Sequence, residues 1–196
     1  MKIQILIGSV RQTRIGPQIA RWVKDITEKK FPTEIVDLKD WHLPMDDEPY
    51  LPAEGIYTQE HTIAWSNKIS EADAYIFVFP QYNWGYPAAL KNAIDHLYKE
   101  WNNKAALMVS YANRGGGKAA LMVSYANRGG GKAAEQLQQV LQGIHMRITE
   151  TNLEIKLSDV NFSPSDSDTD YPESLHRYED ELVSALNQLN LLYRSR

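Results

Sequence analysis

The sequence predicts an α/β fold: a doubly wound, five-stranded parallel sheet in the order 2-1-3-4-5, with helices on both faces. Three observations carry that expectation. Short apolar runs alternate with segments of helical period along the whole chain. The links between them are short, as right-handed crossovers in a parallel sheet require. The third run, AYIFVF at 74–79, is apolar at every position, as a strand covered on both faces must be.

The elements follow in order. Ile3, Ile5, Leu6 and Ile7 form the first strand, and Ile19, Trp22, Val23 and Ile26 mark the helix after it. TEIVDL at 33–38 is the second strand. A loop rich in Pro and acid leads to a helix near 58–71, with Trp65, Ile69 and Ala72 on one face. Pro80 stops the third strand, and Pro87 stands where a first helical position would be, before Leu90, Ile94 and Leu97. A fourth strand lies within a repeated segment. The helix of Leu137, Val140, Leu141 and Ile144 follows, then a strand with Leu153, Ile155 and Leu157 alternating, then a last helix from Leu175 to Leu189.

With 196 residues, one domain spanning 1–196 is expected. The formal charge of −4 comes without a visible basic cluster, so nucleic acid is not an expected partner. There is no cysteine, which excludes disulfides, thiolate metal sites and redox-active thiols; redox chemistry would need a bound cofactor. No apolar run approaches the length of a signal peptide or a membrane span, so a cytoplasmic protein without membrane association is expected.

In a sheet of this order, ligands bind beyond the carboxyl ends of the strands, near the switch point between the first and third. The loop after the first strand, GSVRQTRIGP at 8–17, offers a helix N-terminus, the Ser9 hydroxyl, and the charges of Arg11 and Arg14. It has neither GxGxxG nor GxxxxGK, so it suits a single terminal phosphate, although the same residues also suit a solvated helix start. After the third strand, PQYNWGYPAALKNAIDHL puts two aromatics around an amide beside Gly85. That pattern fits a flat heteroaromatic ring, or an ordinary aromatic-rich turn.

GSVRxxR together with PQYNWGYPAALKNAID resembles the NAD(P)H-dependent FMN reductase family, particularly its quinone-reducing members, over most of the chain. The resemblance implies a flavodoxin-like fold, one FMN per subunit and a homodimer, possibly a tetramer. It also implies that two electrons pass from NADPH or NADH through FMN to a small acceptor (a quinone, FMN, an azo dye or chromate) with ping-pong kinetics. Catalysis would be centred on the flavin, with no side chain as nucleophile. Carried over by position, Ser9, Arg11, Ile15 and Gly16 would hold the FMN phosphate. Pro80, Gln81, Tyr82, Asn83 and Trp84 would meet the ribityl chain and ring. A third loop in the family, a Ser-Tyr followed by glycines, also touches the ring. Two alternatives remain: a flavodoxin-like electron carrier without nicotinamide chemistry, and a flavin-free domain disabled by the repeat described next.

That repeat is KAALMVSYANRGGG, written at 104–117 and again, unchanged, at 118–131. Both copies cannot be adjacent parallel strands, because the seven residues between the apolar runs are too few for a crossover. Bound FMN favours the register that joins its loop directly to the next helix. The second copy is therefore expected to be the strand, with Ser124 and Tyr125 at the flavin; Ser110 and Tyr111 replace them if the first copy is used. The unused copy would be an insert, or would prolong the preceding helix.

Asp166, Asp168 and Asp170 imitate a calcium loop, but Tyr171 and Arg177 stand where Gly and Glu are needed, so a solvated loop is expected. The five histidines show no paired ligand spacing, and no metal site is expected.

Overall fold

The computed structural model describes residues 1–112, 130–162 and 170–195. Its strands are β1 (Ile3–Ile7), β2 (Thr33–Asp37), β3 (Ala74–Pro80), β4 (Ala105–Ala112), β5 (Arg147–Ile148) and β6 (Leu153–Lys156). Its helices are α1 (Gly16–Thr27), α2 (Glu60–Ser70), α3 (Ala88–Asp95), α4 (Gly131–Gly143) and α5 (Glu179–Arg194). All strand pairs are parallel, in the order β2-β1-β3-β4-β5, with β6 also on β4. This is the expected flavodoxin-like arrangement.

The fifth position of the sheet is shared. β5 pairs with Ala105 and Ala106, and β6 with Val109 to Ala112. Only the second half had been legible as a strand, because two residues carry no period. The last helix is also divided: 173–178 is a 3-10 stretch after Pro172, and α5 starts at Glu179.

The period-2 alternation of the strands builds two cores. Ile3, Ile5 and Ile7 of β1, Ile76 and Val78 of β3, and Leu107 and Val109 of β4 face α1 and α5. Leu6, Phe77, Phe79 and Met108 face the other way, onto α2, α3 and α4. Trp22, Trp65 and Trp101 are fully buried.

The structure corrects the expectation about the repeat: β4 is built from the first copy, not the second. Nor does the first copy prolong α3, which ends at Asp95. The two copies are identical, so their strand energies cannot decide; the junctions can. The first copy enters the sheet directly from the Trp101 turn. There Trp101 Nε1 donates to the Ile94 carbonyl at 3.1 Å, Asn103 N donates to the His145 carbonyl at 3.0 Å, and Lys104 Nζ donates to the Ala72 carbonyl. At the other end, the glycines of the second copy start α4. Gly130 takes φ +95 against Ser110, where a Cβ would come within 2.9 Å of the serine Cβ. The working unit is thus a strand from one copy and a helix start from the other. Ser124 and Tyr125 lie outside the described residues, as do Asp166 and Asp168.

Candidate functional site

The carboxyl ends of β1, β3 and β4 converge on one cavity of about 330 Å³, a size that suits a small ligand. Ser9, Arg11 and Ile15 reach it from the loop after β1. Pro80, Gln81 and Tyr82 reach it from the end of β3, and Tyr111 from β4. These residues were expected to act together, and the fold brings them together. Gly16 lies just behind, where a Cβ would meet Tyr111 Oη at 3.0 Å. Ser110 is fully buried and packs on Gly130, away from the cavity.

The β1–α1 loop is held by a side chain 23 positions from its partner. Arg14 Nη1 donates to the Ser9 carbonyl at 2.5 Å and to Asp37 Oδ1 at 2.6 Å, while Nη2 holds Asp37 Oδ2. Both side chains are mostly buried, and the fork-on-carboxylate geometry is the strong form of this pair. Arg14 therefore shapes the loop, with its charge already matched by Asp37. Arg11 differs: its guanidinium stacks 4.1 Å above the Tyr82 ring.

Two donor groups point to an anion. The first turn of α1 has no side-chain cap, and Pro17 near its start suits the helical φ. Tyr111 is 4% exposed, and its hydroxyl finds no hydrogen-bond partner among the described residues. Burial pushes that hydroxyl well above the usual tyrosine range, so it stays protonated and able to donate.

The turn after β3 is tight. Tyr82 and Gly85 exchange both backbone hydrogen bonds, at 2.8 and 2.9 Å, and Asn83 and Trp84 take φ of 47 and 72 between them. Two successive positive φ values make a type I′ turn. Asn tolerates this conformation; Trp does so at a cost. The turn leaves Trp84 41% exposed, outside the cavity. Gln81 closes the far wall: its N–H donates to the Tyr111 carbonyl at 2.9 Å, and its Oε1 accepts from Ala133 N of α4 at 3.3 Å.

Thr13, Ala112 and Leu157 also line the cavity and were not foreseen. The first two directly adjoin motif residues and carry no chemical signal of their own. Leu157 follows β6, and only the sheet order brings it near.

A sequence profile of the NADPH-dependent FMN reductase family matches residues 1–155. The chain belongs to that family. An NAD(P)H-dependent FMN reductase of Schizosaccharomyces pombe is 58% identical over 120 residues, 59% of this chain and 60% of that one. Another from Saccharomyces cerevisiae is 42% identical over 161 residues, 76% of this chain and 77% of that one. In fold, the family member resembles a flavoenzyme NAD(P)H:(acceptor) oxidoreductase of Paracoccus denitrificans, with TM-score 0.67, 16% identity, and coverage of 96% and 97%. The match to the Schizosaccharomyces protein thus spans under two thirds of that relative. The NADPH-dependent FMN reductases are oxidoreductases with FMN as cofactor, and the donor set here fits that cofactor: an uncapped helix start, a cation and a buried protonated hydroxyl around one cavity.

Among the described residues, no helix is long and apolar enough to cross a membrane.

Proposed function

We propose that this chain is an FMN-dependent oxidoreductase that passes two electrons from NADPH or NADH to a quinone or similar flat acceptor. One observation carries the reading most: the uncapped start of α1, with Arg11 beside it, opens into the same cavity as the Tyr82 turn. Residues suited to a phosphate and residues suited to a flat ring thereby border one cavity, as a single mononucleotide would need. The names of the two yeast relatives support it, as do more distant relatives named quinone reductase.

FMN, when bound, supplies the two-electron chemistry. The chain's own residues do the rest. Arg11 and the α1 N-terminus hold the phosphate dianion, with the Ser9 hydroxyl and Gly16 backbone beside it. Arg14 fixes the loop that presents them. Pro80, Gln81, Tyr82 and Asn83 border the ribityl chain and ring, and Tyr111 donates its buried hydroxyl from β4. Trp84, standing exposed at the rim, gives a flat acceptor a face to stack on. Donor and acceptor would use the one cavity in turn, which predicts ping-pong kinetics. A cytoplasmic homodimer completes the reading, and the exposed Met45, Leu51 and Ile56 offer apolar surface for an interface.

Steady-state rates with NADPH and a benzoquinone, measured on FMN-loaded protein, test it. Parallel double-reciprocal lines are expected. Intersecting lines would refute the alternating scheme, and no NAD(P)H oxidation would refute the enzyme.

A further inference from the structure

Away from the flavin cavity, on the α2–α3 side of the sheet, Asp47, His61 and His96 meet. Each offers one ligand atom, and the three atoms lie within 4.8 Å of one another. Asp47 comes from the loop before α2, His61 from the first turn of α2, and His96 from the end of α3. We infer that this cluster is a binding site for a divalent transition cation of the zinc class, which fastens the acidic loop to the two helices. The site is independent of the flavin reading.

The chemistry of the ligands selects the cation. Two imidazoles and one carboxylate, with room left for water, form the three-protein-ligand set that zinc accepts, whereas calcium and magnesium prefer oxygen alone. His61 Nε2 already lies 2.9 Å from Asp47 Oδ2, and its ring packs edge-on against that of His96, with centroids 5.9 Å apart.

His96 is the anchor. It is buried, and its Nδ1 lies 3.1 Å from Thr62 Oγ1, an outer contact of the kind that orients a ligating imidazole. Its Nε2 is buried as well and completes no hydrogen bond among the described residues; burial holds the ring's pKa below the ordinary imidazole value, and the nearby Pro44 carbonyl opposes that shift only in part. A buried polar nitrogen left in this state is uncommon and calls for an occupant.

The surroundings attract positive charge. Asp46, Asp47, Glu48 and Asp95 line the same cleft as His96, and Lys91 pairs with Asp95. Zinc bonds of about 2.0–2.2 Å place tetrahedral ligand atoms roughly 3.5 Å apart, so the cluster must close by about 1 Å. Asp47, on its loop, and the half-buried His61 can make that movement toward a fixed His96.

The test is calorimetric titration of zinc chloride into chelator-washed, FMN-loaded protein, with thermal unfolding recorded alongside. Saturable binding of one zinc per chain and a raised melting temperature are expected. Asp47→Asn and His61→Gln, at half-buried positions, should each weaken binding by more than about tenfold while FMN content stays unchanged. His176→Gln, on the far side, should bind zinc as the parent does. Absence of saturable binding in the parent, or binding that both cluster variants retain, would overturn the assignment and leave only a histidine–aspartate hydrogen bond.

Discussion

The Ser9 hydroxyl lies 2.7 Å from the Tyr82 hydroxyl, and through this contact the loop after β1 touches the turn after β3. Two segments 73 positions apart become one wall. Arg11 stacks on the same tyrosine ring, while Arg14, bonded to the Ser9 carbonyl, is occupied by Asp37.

The two arginines should therefore respond differently. Arg11→Ala removes a charge-assisted contact to phosphate, worth about 1.5–3 kcal/mol, and should weaken FMN binding by roughly 10- to 100-fold with little effect on unfolding. Flavin fluorescence quenching measures the first and urea melts the second. Unchanged affinity would remove Arg11 from the phosphate site.

Asp37→Ala should act on stability. It leaves Arg14 mostly buried without its partner, which typically costs about 3–5 kcal/mol. A loss below about 1 kcal/mol in urea unfolding would mean that the pair is ornamental to the loop.

At the I′ turn, Trp84→Gly should relieve the positive φ and raise stability by about 1 kcal/mol, while slowing turnover with a quinone. A destabilised variant with normal turnover would show that Trp84 is held for packing alone.

Removing either copy of the repeat yields the same 182-residue sequence, since 196 less 14 residues leaves one KAALMVSYANRGGG. That variant keeps Ser110 and Tyr111 in the strand and shortens the connection to the next helix. It should bind FMN at least as well and gain roughly 1 kcal/mol from the lower closure entropy. In the parent, Tyr111→Phe should weaken FMN binding, and Tyr125→Phe should not. Equal effects of the two substitutions would contradict the use of the first copy.

The β-α order and both site loops were legible because period and residue chemistry are local. Arg14 with Asp37 was not: Arg14 reads as a second charge for a phosphate, Asp37 carries no signal of its own, and only the β1–β2 pairing joins them. The choice between copies was illegible for another reason. The strand residues are identical, and the deciding contact, from Asn103 just outside the repeat to His145, comes from a distant segment. Histidines 61 and 96 looked unrelated at 35 positions apart, yet the fold sets the edge of one ring against the other.

The most direct measurement is an FMN titration of the purified chain and of Arg11→Ala, followed by quenching of flavin fluorescence and by the visible spectrum. A flavin gripped between β1 and β3 should saturate at one FMN per chain, with the arginine variant shifted to at least about tenfold higher concentration. A folded chain that stays colourless and leaves FMN fluorescence untouched would contradict the assignment at its root.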